Sequence, residues 1–427
     1  MSKQLRIWLF VLLGTLFTST TLLAQGVITM TTTKAVGEKI SLRVKANGSV
    51  SITGVRESAR TDGEYKEYTL TSQMLTIRGD VKTLFCGSWD QLTSLDVSKN
   101  ITLTELDCSC NDLTSLDLSQ NTALRYLDCG LNQLTSLDVS KDTALTELGC
   151  SGNRLTSLDV SQNTALTYLN CSGNRLTSLD VSQNTALASL GCRDNQLTSL
   201  DLSKNTALTK LLCYRNQLTS LDLPKSTVLT ELVCYCNQLI SLDVSKNTAL
   251  TSLGCEGNKL TSLDVSKNTA LTMLSCSNNQ LTSLNVSKNT ALTQLYCYNN
   301  QLTSLDVSKS TALTQLVCYN NQLTSLDVSK STALETLDCD YNKLTNLNIS
   351  GCISLRVLYC SNNYINGKAM TKLVNSLPNR RKKSSGLIFL VDRSSKKRDK
   401  NRCSAADVTT AKRKNWEVLK NKRIMAG

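Results

Sequence analysis

The sequence predicts a solenoid, a stack of short coils sharing one continuous apolar core, and three observations predict it. Cysteines stand at 108, 129, 150 and on at every twenty-first residue to 360. Leucines and an asparagine hold fixed places around each of them. The second half of each unit, Leu-Thr-Ser-Leu-Asp-Val-Ser-Lys-Asn-Thr-Ala, hardly changes from copy to copy. A fixed period of this size overrides the two or three domains that 427 residues would otherwise suggest.

The chain opens with Lys3 and Arg6 ahead of an apolar run, 7–17, followed by Leu22, Leu23, Ala24 and Gln25. A charged start, a short apolar core and a small residue at the exit read as a secretory signal peptide over 1–25, cut near Ala24 or Gln25. The run is shorter than the ~20 residues a membrane span needs. No later stretch is longer and comparably apolar, and no cysteine follows Ala24 for lipid attachment. The expectation is an exported chain, secreted or at the outer cell surface, with no transmembrane segment once the signal is removed.

Residues 26–80 read as a β-rich N-terminal cap. Ile40, Leu42 and Val44 alternate onto one face, Asn47-Gly48 predicts a hairpin turn, and Val50 and Ile52 resume the alternation. Its plainest role is to cover the first coil, because an open solenoid end exposes apolar core.

Residues 81–365 hold the solenoid, about 14 coils. In the unit from Leu124, leucines take places 1, 4, 11 and 14, Cys129 place 6, Asn132 place 9 and Val139 place 16. Leu127 and Cys129 lie two apart and so point to the same side of a short strand, inward. Asn132 turns the chain, with an amide able to bond its own and the adjoining coil. Cys86 precedes Cys108 by 22 residues, which predicts one inserted residue near Trp89.

This frame resembles the leucine-rich repeat L-x-x-L-x-L-x-x-N-x-L with cysteine at the sixth place. Its 21-residue period and cysteine ladder are similar to those of internalin J-type bacterial surface proteins. The resemblance implies a leucine-rich-repeat solenoid with a curved parallel β-sheet on its concave side, and a setting of adhesion to host or bacterial cells. The β-rich N-terminal flank departs from the helical cap of that family, and no wall-sorting motif is found.

Residues 366–427 read as a basic βα C-terminal cap. Met370, Leu373, Val374 and Leu377 mark a helix ending at Pro378, 387–391 reads as a strand, and Ser404 with Asp407 forms a capping box for a helix running toward Leu419. This segment carries 18 Lys+Arg against 4 Asp+Glu, so the chain's +13 belongs to it and the rest is close to neutral.

Export implies an oxidising compartment, where 18 cysteines usually mean disulfides. Thiols running parallel at one height are poorly placed for disulfide geometry, so the ladder reads as small buried hydrophobes. Cys110 and Cys236 sit six coils apart, on the order of 29 Å, too far to pair. Cys352 and Cys403 are left open, paired near the C-terminal end or with nothing.

Composition narrows the function. With no histidine, His-based triads and most zinc and non-haem iron sites are excluded. The acids of place 15, from Asp96 and Asp117 to Asp327, read as structural turn residues rather than calcium ligands. No catalytic constellation stands out, and neither an enzyme nor a cofactor nor a metal site is expected. The freely varying places 3, 5, 7 and 8 flank the strand and project outward from the concave sheet. They hold Tyr126, Tyr168, Tyr214, Arg215, Tyr235, Tyr296, Tyr298, Tyr319, Tyr341 and Tyr359. Rigid aromatics in a row on an exposed sheet are the material of a binding hot spot. The expected partner is a protein or glycan receptor on host or bacterial cells. The alternative is a spacer held to anionic envelope polymers by the basic tail, through Arg380, Arg381, Lys382, Lys383, Lys396, Lys397 and Arg398. Specific nucleic-acid binding is not expected, for that tail holds no reading motif, and the oligomeric state is left open.

Overall fold

A computed structural model describes residues 26–62, 65–87, 89–392 and 399–419. The predicted signal segment and Lys396, Lys397 and Arg398 lie outside the described residues. The chain divides into two compact units, Met1–Leu187 with Gly191–Gln196, and Ala188–Leu190 with Leu197–Gly427.

The first unit begins with strands β1 (Val27–Thr32), β2 (Lys39–Thr53), β3 (Val55–Asp62), β4 (Tyr65–Leu70), β5 (Met74–Phe85) and β6 (Leu92–Asp96). β1 pairs antiparallel with both β5 and β6, β2 with β4 and β5, and β3 with β4. Period-2 burial in β1 and β5 puts Ile28, Met30, Leu75, Ile77 and Val81 in the core, and Leu84 is buried beyond a register shift.

The expected hairpin at Asn47-Gly48 is not there. β2 runs straight through it, because β5 is long enough to pair with both halves. Gly48, Ser49 and Val50 instead form a bulge, with the register stepping from Asn47↔Asp80 to Ser51↔Arg78. Gly48, at φ +93°, supplies the left-handed backbone that this step needs. The expected boundary at residue 80 falls within a single continuous strand. Thr83, Leu84 and Phe85 of β5 pair in parallel with Glu105, Leu106 and Asp107, so one strand is at once the cap's last and the solenoid's first. The insertion falls where the spacing placed it, with Trp89 (φ 57°) and Gln91 (φ 53°) both left-handed. Asp90 beside them is buried, pairs with Lys34 at 3.0 Å and accepts from the Ser41 amide.

From there both units are parallel β-solenoid. Three-residue strands recur every 21 residues and pair in parallel with no register shift. In the first unit Leu106 faces Leu127 and Leu127 faces Leu148; in the second Leu211 faces Leu232, and so on to Leu337 and Leu358. The leucines of places 1, 4 and 11 and the cysteine of place 6 are fully buried. One coil cannot shelter this apolar side alone, and stacking does it.

Two asparagine ladders stitch the coils. At place 9, Asn132 donates to the carbonyls of Cys108, Cys129 and Gly130 and accepts from the Leu113 amide. One side chain thereby satisfies backbone groups of two coils. A second ladder, passed over in the sequence, occupies place 19: Asn121 donates to the carbonyls of Val97 and Asn100, and Asn163 to those of Val139 and Asp142. The acids of place 15 are turn residues as expected, Asp138 accepting from the Ser140 amide and Asp159 from that of Ser161.

No disulfide links any of the 18 cysteines. Cys352 belongs to the second ladder, buried with its Sγ 3.2 Å from the Val328 carbonyl, and Cys403 is half-buried.

The second unit ends with the helix Gly367–Ser376, the strand Gly386–Phe389 parallel to Val357–Tyr359, the helix Ala405–Arg413 and a final parallel strand, Trp416–Val418. The capping box holds, with Ser404 and Asp407 bonding each other's amides. The second helix stops short of Leu419, because Asn415 adopts a left-handed conformation (φ 65°) and turns the chain into the strand.

Candidate functional site

The strand face is where each coil presents its variable side chains, at places 3, 5 and 7, alternating with the buried leucine and cysteine. Its content differs along the chain.

In the first unit Tyr126 is half-buried, its ring 5.8 Å from that of Phe85. It stands among Asp107, Asp128 and Glu147, and its phenol is pushed up by burial first and those carboxylates second. Asp128 is itself raised by burial, despite accepting from the Gly130 amide at 2.8 Å. Tyr168 is exposed.

In the second unit the adjacent-coil tyrosines of place 7 stack. Tyr214 and Tyr235 lie 4.2 Å apart between ring centroids with planes at 17°, and Tyr298 and Tyr319 lie 4.6 Å apart at 9°. Tyr296 donates its hydroxyl to Gln315 Oε1 at 2.9 Å. Such pairs are pre-ordered aromatic surface, which lowers the entropy lost on binding.

Between the stacks the same row holds two smaller polar side chains, Glu256 and Ser277. Glu256 lies over Gly254, which leaves it room: a Cβ there would come within 3.2 Å of Glu256 Oε2. Burial raises its carboxyl, against hydrogen bonds from its own amide and from Ser275. Oε2 has no hydrogen-bond partner, and neither has the Oγ of fully buried Ser277. Glu256 escaped the sequence reading, although it is the one acid of place 7 with glycine two residues before it.

Two expectations need correction. Tyr359 does not face outward for binding. It is 1% exposed, packed edge-on against Phe389 at 6.4 Å and against Leu419, so it joins the solenoid to its C-terminal cap. Place 8 is not free to vary either, for its backbone is left-handed in every coil that fills it with a non-glycine residue from Cys110 to Asn362. Leu131, Arg215, Cys236 and Tyr341 all sit at φ 52–53°. Arg215 and exposed Tyr341 remain at the rim of the strand face, held there by that turn. The glycines and asparagines at 152, 173, 257, 278, 299, 320 and 362 were the available signal.

The basic tail is partly structural. Arg380 is buried, donating to the Leu355 and Ser384 carbonyls; Arg381 donates to the Arg413 carbonyl, and Lys414 to those of Asn375 and Leu377. Lys382 and Lys383 are exposed. Among the described residues no cluster of three or more Cys, Asp or Glu side chains is placed to hold a metal, and no helix is long and apolar enough to cross a membrane.

A family model described as leucine-rich repeats (2 copies) matches residues 143–184, 269–310 and 290–331. The functional domain of InlJ from Listeria monocytogenes, described as including a cysteine ladder, is 34% identical over 82% of this chain and 76% of its own, with a TM-score of 0.61. A leucine-rich-repeat protein of Leptospira interrogans is 27% identical over 67% of this chain and 80% of its own, also at 0.61. An internalin, InlF, from Listeria monocytogenes shares the fold at 19% identity and a TM-score of 0.52, over 80% of this chain and 87% of its own. No curated protein matches at comparable significance.

Proposed function

The chain belongs to the cysteine-ladder leucine-rich-repeat proteins of the internalin J type, and from that premise we propose that it is an exported binding protein that engages a protein or glycan receptor at a cell surface through its strand face. The observation that carries this reading is the pair of tyrosine stacks, Tyr214 with Tyr235 and Tyr298 with Tyr319, on the face where the repeat varies. The opposite wall repeats nearly the same residues in every coil and offers nothing to tell one partner from another. The setting is adhesion, with the chain secreted or held at the outer surface, and no catalytic role is assigned.

The basic tail is the weaker candidate for attachment, since Arg380, Arg381 and Lys414 are engaged in closing the cap. The deciding experiment is binding of residues 26–427 to whole cells across a salt series, for the parent and for Tyr298→Ala/Tyr319→Ala. Binding that persists at physiological salt and falls in the tyrosine variant supports the strand face. Binding that is steeply lost with salt and indifferent to the tyrosines transfers the contact to the tail.

A further inference from the structure

The row of place 7 in the second unit has a specific composition: a tyrosine stack ending at Tyr235, then Glu256 and Ser277, then a stack beginning at Tyr298. Three strand spacings separate Tyr235 from Tyr298, on the order of 14 Å. The interval between these aromatic walls is floored by Gly254 and Ser275, both small and both buried. Within it two polar atoms, Glu256 Oε2 and Ser277 Oγ, meet no hydrogen-bond partner. In the same coil as Glu256, Lys259 donates to Gln238 Oε1 at 3.2 Å.

A carboxylate between electron-rich ring faces selects a donor-rich cation. A guanidinium meets each requirement: it is planar and stacks on a tyrosine face, it carries five N–H donors and no acceptor, and it is more weakly hydrated than an ammonium. We propose that Tyr235, Glu256 and Tyr298 form the recognition point for an arginine side chain of the partner protein, its guanidinium stacking on a tyrosine wall and bonding Glu256. The proposal rests on the strand-face reading above and commits it to a protein rather than a glycan. Rotation about the Glu256 side-chain bonds lifts the carboxylate off Gly254 to meet the ligand, a rearrangement of the size common at interfaces.

The test is saturation-transfer NMR on the full mature chain with Nα-acetyl-arginine N-methylamide, beside its neutral isostere, the citrulline analogue. The arginine probe should take up saturation on its side-chain methylenes, with a signal roughly fivefold or more above the citrulline probe. Glu256→Gln should abolish that preference, and Tyr235→Leu/Tyr298→Leu should weaken it, with thermal midpoints kept. If a tyrosine variant fails to fold, Glu256→Gln and Glu256→Lys carry the test. Equal signals from the two probes, or an arginine preference that survives Glu256→Gln, overturn the proposal.

Whole-cell binding keeps its failure distinct from that of the broader reading. Loss of cell binding on changing the tyrosines, without any arginine preference, leaves the strand face as the contact and removes arginine as its ligand. Uptake by a methyl hexoside probe in its place assigns a glycan. Cell binding indifferent to the tyrosines removes both readings.

Discussion

Asn163 donates its amide to the backbone carbonyl of Asp142 at 2.9 Å, while the side chain of Asp142, in the equivalent place one coil back, meets no partner at either oxygen. Asn121, one coil further back, makes the same two donations as Asn163. Asp142 is 1% exposed, and an ionised carboxylate has no proton to give to the carbonyls that the ladder presents.

Burial first, and Asp138 second, push the Asp142 carboxyl up to about 7. Its ordinary value is near 4, so between roughly pH 4 and 7 the folded chain holds a proton that the unfolded chain has lost. Stability from this group is complete at the acid end and lost as pH rises through 7. Asp142→Asn is therefore expected to stabilise the protein by about 2–4 kcal/mol at pH 8 and by little at pH 4. Denaturant unfolding of parent and variant at the two pH values checks it; an equal difference at both would mean that Asp142 does not titrate in the fold.

The left-handed turn at place 8 gives a second prediction. Leu131 sits there at φ 52° with half its surface exposed, and a branched side chain in that conformation costs on the order of 1–2 kcal/mol. Leu131→Gly removes the strain and loses little packing, and a gain of about 1 kcal/mol is expected after the entropy cost of glycine. The same substitution at Leu134, fully buried in the same coil, should cost several kcal/mol. Thermal or urea unfolding of the two variants measures both.

The solenoid was legible because its signal repeats: the Leu127–Cys129 pair and Asn132 each recur in coil after coil, and one physical argument serves them all. What was missed lies where one residue type has two uses. Place 8 accepts Tyr341, Arg215 and Leu131 and so looks free, yet the glycines and asparagines among its occupants mark a backbone constraint that residue variety conceals. Asn47-Gly48 has hairpin chemistry, but local chemistry does not say whether β5 is long enough to pair through it. Tyr359 shares its place with half-buried Tyr296, and only the arrival of Phe389 from the C-terminal cap, a long-range event, buries it fully.

The two asparagine ladders should differ in tolerance. Asn279 donates to the carbonyls of Cys255, Cys276 and Ser277 and accepts from the Leu260 amide, so both its NH2 and its Oδ1 are engaged. Asn268 of the second ladder donates to Val244 and Asn247 and leaves Oδ1 without a partner. The chain already carries Ser226, Ser310 and Ser331 in that second place. Asn279→Ser is expected to cost about 2–4 kcal/mol, since it orphans buried backbone groups of two coils, and Asn268→Ser about 1 kcal/mol or less. Urea unfolding of the two variants decides; equal costs would mean that the ladders are interchangeable.

Thiol chemistry separates the ladder cysteines from the rest. Burial pushes the Cys171 thiol up to about 12, and it raises Cys150, Cys234 and Cys276 as well, so little thiolate exists at neutral pH and none of it meets solvent. Cys236 is exposed, and Cys110 and Cys403 are half-buried. Alkylation of the native protein at pH 8 is expected to modify Cys236 first, Cys110 and Cys403 more slowly, and the ladder only after unfolding. Peptide mapping by mass spectrometry reads this directly. Rapid labelling at Cys171 or Cys276 without denaturant would mean that the coils open locally, because nothing short of separating adjacent coils brings a reagent to a sulfur buried between them.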